Sequence, residues 1–291
     1  MELSPVETDT GVVQIDSLRL DAEASIQRAG AFMGTFDSRV AAEVKFLRDR
    51  DAQLVIADLP PLGIAAAHAA GVPAIAFGNF TWDWIYDHYA GGQDLARAIG
   101  DVYAHTTLAL RLPMWGGFET MANARDIPFV ARHSERDPDD TRRALGIPLD
   151  NRAVLVSFGG YGVRGFTKPL ATGYHLLWPG EFDESAMYDR GYRYEDVVRA
   201  VDVVVTKPGY GIISECIAND TALLYTPRGD FREYPVLVNE MPEYLRCGYI
   251  DHTDLFSGNW APHLDRLLAQ PPPPVKPATN GAQIAAELLN P

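Results

Sequence analysis

Short apolar, β-branched runs alternate with helical patterns along nearly the whole chain. That alternation restricts the fold more than any other feature, because it is the mark of βαβ units and of parallel sheets. In the first half, Ala52–Asp58 (AQLVIAD) reads as a buried strand and Val72–Phe77 as the next one. Between them Pro61–Ala70 reads as a helix, with proline in its first turn and Gly71 at its end. Upstream, residues 21–50 read as one long helical region, apolar at Ile26, Ala29, Met33, Phe36, Val40, Val44 and Leu47. Residues 101–110 have both strand and helix character, and the pattern does not choose between them.

A polar, proline-containing stretch from Arg132 to Asp150 reads as a linker with one short helix. A second α/β series follows. Strands are expected at Ala153–Ser157, Tyr174–Trp178, Asp202–Thr206, Ala222–Thr226 and Tyr249–Asp251. Helices are expected at Tyr194–Ala200, Ile212–Ala218, Val236–Cys247 and Gly281–Leu289, with Pro271–Pro274 an extended spacer before the last. The 291 residues suffice for two domains of about 150 residues each, placed at 1–145 and 146–291. Two Rossmann-like, doubly wound halves would hold ligands between them, at the carboxyl ends of their strands.

Composition removes several classes of function. The formal charge of −14, with no local basic patch, argues against nucleic acid as a partner. Helix N-termini still allow an anionic small molecule. No apolar run reaches the roughly 18 residues of a membrane span, and the N-terminus lacks the pattern of a secretory signal. Two cysteines, Cys216 and Cys247, suggest a reducing compartment, and the expected location is cytoplasmic. No metal-ligand spacing is present, so no metal is expected.

The most informative segment runs from Val203 to Asn239. A strand ends at Thr206, a glycine turn follows (Lys207-Pro208-Gly209-Tyr210-Gly211), and a helix is expected from about Ile212. Gly209 and Gly211 would let the backbone approach a ligand, and the helix N-terminus offers N–H groups to a phosphate. Ser214 and Glu215 are placed in the first helical turn, where Glu215 could accept from paired ribose hydroxyls. Such turns also occur throughout α/β proteins without a ligand, and an acid in a first turn stabilises the helix dipole anyway. The next loop, Arg228–Pro235, packs two arginines, two acids and two aromatics into eight residues at the same sheet edge, which favours a binding role. Ser157–Gly162 (SFGGYG) is either a second wall of the same cleft, through Gly159 and Gly160, or a plain tight turn.

Gly209-x-Gly211, Glu215, a strand ending in Pro227, a polar loop and Asn239 in the following helix are similar to the donor motif of GT-B glycosyltransferases. Bacterial cell-wall N-acetylglucosaminyltransferases and the UDP-glucuronosyltransferase-like families share that layout. The segments DLPPLGIAAAHAAGVPAIAFGNFTWDWIY and KPGYGIISECIANDTALLYTPRGDFREYPVLVNEM resemble bacterial glycosyltransferase-like proteins related to the N-terminal region of plant L-arabinokinases. The resemblance implies a GT-B fold and inverting transfer of a sugar from a nucleoside diphosphate, UDP above all, with no further cofactor. It places Gly209 and Gly211 at the diphosphate and Glu215 at the ribose, with Lys207, Tyr210, Ser214 and Arg228 also among the donor-binding residues. Phe231, Arg232 and Glu233 would lie near the donor sugar, and Asn239 would brace the loop.

In the first half, Asp58 and the segment Asn79–Trp84 end successive strands and so face the cleft. Asn79, Thr81, Trp82 and Asp83 are acceptor-side candidates; the tryptophans, each taken alone, read first as core residues. Asp58 is either the general base or a turn-former before proline. His68 reads as a packing or surface histidine. Related proteins begin with a strand and a glycine- and histidine-containing turn, so Gly11–Asp16 reads as the second or third strand of a truncated first domain. A nucleotide-sugar epimerase and a non-catalytic nucleotide-sugar-binding module remain alternatives to the transferase.

Overall fold

In the computed structural model, which describes residues 3, 5–160, 162–169, 173–178 and 184–289 (side chains of 184–186 excepted), the apolar runs form two parallel sheets. The chain opens on a hairpin of β1 (Val13–Asp16) and β2 (Arg19–Asp21), paired antiparallel and separate from both sheets. Residues 11–16 are therefore not a strand of the doubly wound sheet. The Asp16 carboxylate accepts from the Leu18 N–H at 2.9 Å and from Arg19 Nε at 3.0 Å, which closes a turn that sends the chain straight back.

Two helices follow, α1 (Ala22–Met33) and α2 (Phe36–Asp49), where the periodicity predicts one. The break falls at Gly34–Thr35. There the Thr35 hydroxyl donates to the Phe32 carbonyl at 3.0 Å and competes with the helical ladder. Next come β3 (Val55–Ala57), α3 (Pro61–Ala70), β4 (Ala74–Phe80), α4 (Trp82–Asp87), α5 (Gln93–Tyr103), β5 (Leu108–Gly116) and β6 (Ala124–Asp126). The ambiguous 101–110 stretch is thus the end of a helix and the start of a strand. Gly71, at φ 76°, ends α3 in the left-handed conformation that glycine alone adopts freely. The sheet order is β3-β4-β5-β6, all parallel; β3 lies at the edge with Ile56 57% exposed.

The second half holds α6 (Pro138–Leu145), β7 (Ala153–Val156), β8 (His175–Leu177), α7 (Glu184–Asp189), α8 (Tyr194–Ala200), β9 (Val203–Thr206), α9 (Tyr210–Ala218), β10 (Ala222–Tyr225), α10 (Glu233–Glu240), β11 (Cys247–Tyr249), α11 (His252–Ser257), α12 (Ala261–Leu268) and α13 (Gly281–Leu289). Its parallel sheet runs β11-β10-β9-β7-β8. Its central strands are apolar on both faces because helices cover both. Leu155, Val204 and Leu223 pack on one side, and Val154, Val203, Val205 and Leu224 on the other, with Trp260.

Several boundaries differ from expectation. Helix α10 starts at Glu233 and not Val236, and stops at Glu240, because Pro242 has no N–H with which to extend the ladder. The last strand is Cys247–Tyr249 and not Tyr249–Asp251.

Packing does not follow chain order at the ends. Helix α13 returns to the first sheet, where Ala285 joins Ile75, Leu110 and Ile127, and Leu18 of the hairpin is buried among second-half residues Val156 and Phe158. In the second sheet, β8 and β9 lie on opposite sides of β7. The connections after β7 and β9 therefore diverge and leave a crevice at the carboxyl ends of these two strands, the place where open α/β sheets bind ligands.

Candidate functional site

A cavity of about 600 Å³ fills that crevice, within the roughly 300–1,000 Å³ usual for small-molecule sites. Ser157, Gly159 and Gly160 line it from the turn after β7, and Lys207, Gly209 and Gly211 from the turn after β9. Glu215, Arg132 and Tyr194 also line it. Both glycine turns thus line one cavity. Tyr161 of the first turn lies outside the described residues. A second cavity of about 320 Å³, lined by Cys216, Tyr244 and Pro272, is remote from these turns.

Gly159 has φ 74° and needs glycine for its backbone. Gly209 does not: its φ of −161° is extended backbone that any residue adopts. A Cβ added at Gly160, Gly209 or Gly211 would meet no atom within 4 Å. Among the described residues no atom fills the space beside these three glycines, so the cavity is open up to their backbone. Gly209 is also the residue before α9, so the first N–H groups of that helix stand at the cavity.

Helix α9 begins at Tyr210, two residues earlier than expected, so Ser214 and Glu215 lie in its second turn. Glu215 therefore has no first-turn role towards the helix dipole, which weakens its structural explanation. Its residue is 7% exposed, and its Oε1 accepts from Arg132 Nε at 2.6 Å. Burial raises the Glu215 pKa, and the hydrogen bond and charge of Arg132 oppose that rise. Ser214 is buried, and its hydroxyl donates to the Gly211 carbonyl at 3.0 Å, away from a ligand role. Tyr210 also turns away. Its ring stacks on Phe129 and its oxygen accepts from the Val130 N–H at 3.2 Å, so it ties α9 to the chain leading out of the first half.

The Arg228–Glu233 segment joins the halves. Phe231 is 4% exposed within the first-half core, its ring edge-on to Phe80 at 5.9 Å, so it is a plug between the halves and not a sugar contact. Arg232 donates to the Trp84 carbonyl and to Asp87, with its guanidinium over the Trp84 ring. Glu233 accepts from Asn79 Nδ2 at 2.7 Å and from Arg228 at 3.2 Å, and Arg228 also donates to the Pro208 carbonyl. Burial pushes the Glu233 pKa up; Arg228, Asn79 and Lys207 pull against it. Asn239 does not brace this loop: it is exposed near the C-terminal end of α10 and makes no side-chain hydrogen bond among the described residues. Its position six residues into α10 carries it away from the loop.

Of the acceptor-side candidates, only Asn79 reaches across to the second half. Thr81 directly precedes α4, and the helix then sets its side chains inward. Thr81 is fully buried and its oxygen faces the Phe118 N–H at 3.4 Å; Trp82 packs between Phe80 and Tyr86. Asp83 accepts from the Trp84 N–H at 2.8 Å and from Thr120 at 3.2 Å. Asp58 lies just beyond β3 at the surface, and partial loss of hydration beside neighbouring groups, with the nearby charge of Asp9, holds its pKa above the ordinary value. His68 stacks on His105, a packing role.

Two lining residues were not visible in the sequence. Arg132 sits in the stretch read as linker, and its partner Glu215 is 83 residues further on. Tyr194, which donates to Ser157 Oγ at 2.7 Å, was read only as the start of a helix. Among the described residues no cluster of histidine, cysteine or acidic groups could hold a metal, and no helix is long and apolar enough to cross a membrane.

No protein-family model matches the chain. The L-arabinokinase of Arabidopsis thaliana is 29% identical over 304 residues, which cover 99% of this chain and 29% of the plant protein. The UDP-N-acetylglucosamine–N-acetylmuramyl-(pentapeptide) pyrophosphoryl-undecaprenol N-acetylglucosamine transferase of Clavibacter michiganensis is 28% identical, covering 59% of this chain and 48% of the transferase. The chain thus spans less than half the length of either relative. Among solved structures, the calicheamicin glycosyltransferase CalG4 superposes with a TM-score of 0.52 at 15% identity, covering 86% of this chain and 73% of CalG4. By its fold the chain is of the GT-B, glycosyltransferase-like type, and by its sequence it is similar to L-arabinokinase and to the cell-wall N-acetylglucosamine transferases.

Proposed function

We propose that this chain binds a nucleoside diphosphate sugar, most simply a UDP-sugar, and transfers the sugar to a hydroxyl acceptor. The observation that carries the reading is the cavity between two glycine turns at the switch point of the second sheet, open up to the backbone of three glycines and with a helix N-terminus at the space. The N–H groups of α9 would hold the diphosphate and stabilise it as it leaves. Glu215 would exchange its Arg132 contact for the ribose hydroxyls. The name of the Clavibacter relative, with its UDP-linked donor, supports the choice of nucleotide. The two free cysteines fit a cytoplasmic location, and the division at residue 145 into acceptor-side and donor-side domains is part of the same proposal.

The test is product analysis with each nucleotide sugar, following free nucleoside diphosphate with and without candidate acceptors. Release that depends on an acceptor, and that falls on the order of 100-fold in Glu215→Ala, supports the transferase. Conversion of the sugar with no acceptor present would point to an epimerase instead.

Two pH effects follow. Lys207 lines the cavity, and burial together with the neighbouring Arg228 lowers its pKa to about 8. A bound diphosphate favours the charged ammonium. Affinity for UDP is therefore expected to be level below pH 8 and to fall as the pH rises above it, with proton uptake on binding near pH 8. Calorimetry in buffers of different ionisation enthalpy reads that uptake, and Lys207→Met should abolish it. Asp58 is proposed as the acceptor-side base, active as the carboxylate. Because its pKa is raised, kcat/KM should climb with pH through a value above the ordinary aspartate range. Asp58→Asn should lower kcat by about 100-fold or more and remove that limb.

A further inference from the structure

The turn after β7 carries Gly159, Gly160 and Gly162, and so has little side-chain packing of its own. Glycine backbone reorients at low steric cost, so such a turn keeps one geometry only where something outside it fastens the peptide groups. That fastening comes from the hairpin of the first half. The Ser17 hydroxyl donates to the Phe158 carbonyl at 2.6 Å, and the Ser17 N–H donates to the Gly162 carbonyl at 2.9 Å. One residue thus grips the turn on both sides of Gly159 and Gly160.

The hairpin tip is itself firmly seated. Ser17 is 3% exposed, and Leu18 is buried with Val156 and Phe158. The Leu18 carbonyl also lies close against Gly229, 3.1 Å from where a Cβ on that glycine would stand. The tip therefore touches both the turn after β7 and the loop after β10. Between those two strands lies β9, whose own turn leads into α9.

The grip has a directional consequence. In a trans peptide the N–H points opposite to the C=O. With the Phe158 carbonyl held by Ser17, the Gly159 N–H of the same peptide faces away from the Ser17 hydroxyl. Gly159 lines the cavity, and among the described residues its N–H makes no hydrogen bond.

We propose that the N-terminal hairpin is a clamp on the donor cavity, in which Ser17 sets the Phe158–Gly159 peptide so that the Gly159 N–H meets a diphosphate oxygen. Ser17 is then a positioning residue, acting through the turn without touching the ligand. The assignment rests on the nucleotide-sugar reading above and adds to it that the first half shapes the donor site as well as the acceptor side.

The test compares Ser17→Ala with wild type by calorimetry, with UDP and GDP and with the nucleoside of whichever binds, uridine or guanosine. The nucleoside lacks the phosphates, so it separates a displaced phosphate contact from a general loosening of the site. The expected result is a diphosphate affinity lowered by about 3- to 10-fold, with nucleoside affinity unchanged. Ile75→Val, a substitution in the core of the first sheet, should lower the melting temperature and leave both affinities as in wild type. Asp16→Asn weakens the pairing with Arg19 that closes the hairpin; it should give the same split, and it carries the test if Ser17→Ala does not fold. Unchanged diphosphate affinity in the folded hairpin variant, equal losses for diphosphate and nucleoside, or the same split in Ile75→Val would overturn the clamp. A wild type that binds neither nucleotide fails at the earlier step, and removes the nucleotide-sugar reading together with this one.

Discussion

Glu233→Ala is expected to destabilise the protein by about 3–5 kcal/mol, the range for breaking a buried ion pair from one side. Glu233 is 4% exposed, and its carboxylate joins Asn79 of the first half to Arg228 of the second. Without it, Arg228, whose side chain is 11% exposed, faces Lys207 with no anion between them. At roughly 2–4 °C per kcal/mol for a chain of this size, the melting temperature should fall by about 6–20 °C. The double variant Arg228→Met/Glu233→Leu should recover most of the loss, since replacing a whole buried pair with apolar groups is often neutral or stabilising. Glu233→Ala melting within about 2 °C of wild type would show that the halves do not depend on this contact. That outcome would also reopen Glu233 as a sugar ligand.

The second large effect concerns the cavity and should leave stability alone. In Gly209→Val the backbone is already extended, which suits a β-branched residue, and its Cβ meets nothing. The melting temperature should change by no more than about 3 °C, on the usual scale for a substitution without clash. The two added methyl groups would stand where the diphosphate is proposed to lie. Overpacking of about 1–3 kcal/mol corresponds to an affinity for UDP weakened by roughly 10- to 100-fold. Unchanged affinity would place the ligand elsewhere. A folded variant that binds nothing would locate the phosphates at the start of α9.

The two predictions separate roles that the sequence merges. From residues alone, Arg228–Glu233 and Lys207–Gly211 look like parts of one donor motif, because both follow strands at the same sheet edge. In space the glycine turn faces the cavity, while Phe231, Arg232 and Glu233 are occupied with the other half. Local pattern shows which edge of a sheet a loop joins, but not which side chains a second domain will claim. Thr81 and Asp83 teach the same lesson. Both are polar residues near a strand end, but a helix beginning at Trp82 turns them to Phe118 and Thr120.

What was legible followed from periodicity. The strands at Ala153–Val156, Val203–Thr206 and Ala222–Tyr225 are apolar runs too short for helices, and the glycine turns after the first two line the cavity. What was hidden depends on distant pairing. Arg132 has no signature apart from Glu215, and the hairpin at Val13–Asp21 looks like one more sheet strand until Asp16 is seen closing its turn.

The central claim is that a nucleoside diphosphate occupies the cavity between the glycine turns. It is tested most directly by titrating UDP, and then GDP, into the purified protein while following its melting temperature, with Glu215→Ala alongside. At a ligand concentration of about 100 times Kd, stabilisation of roughly 2.7 kcal/mol is expected. That corresponds to a rise of about 5–10 °C with one nucleotide, largely absent in the Glu215 variant. A folded wild-type protein whose melting temperature neither nucleotide moves would contradict the account.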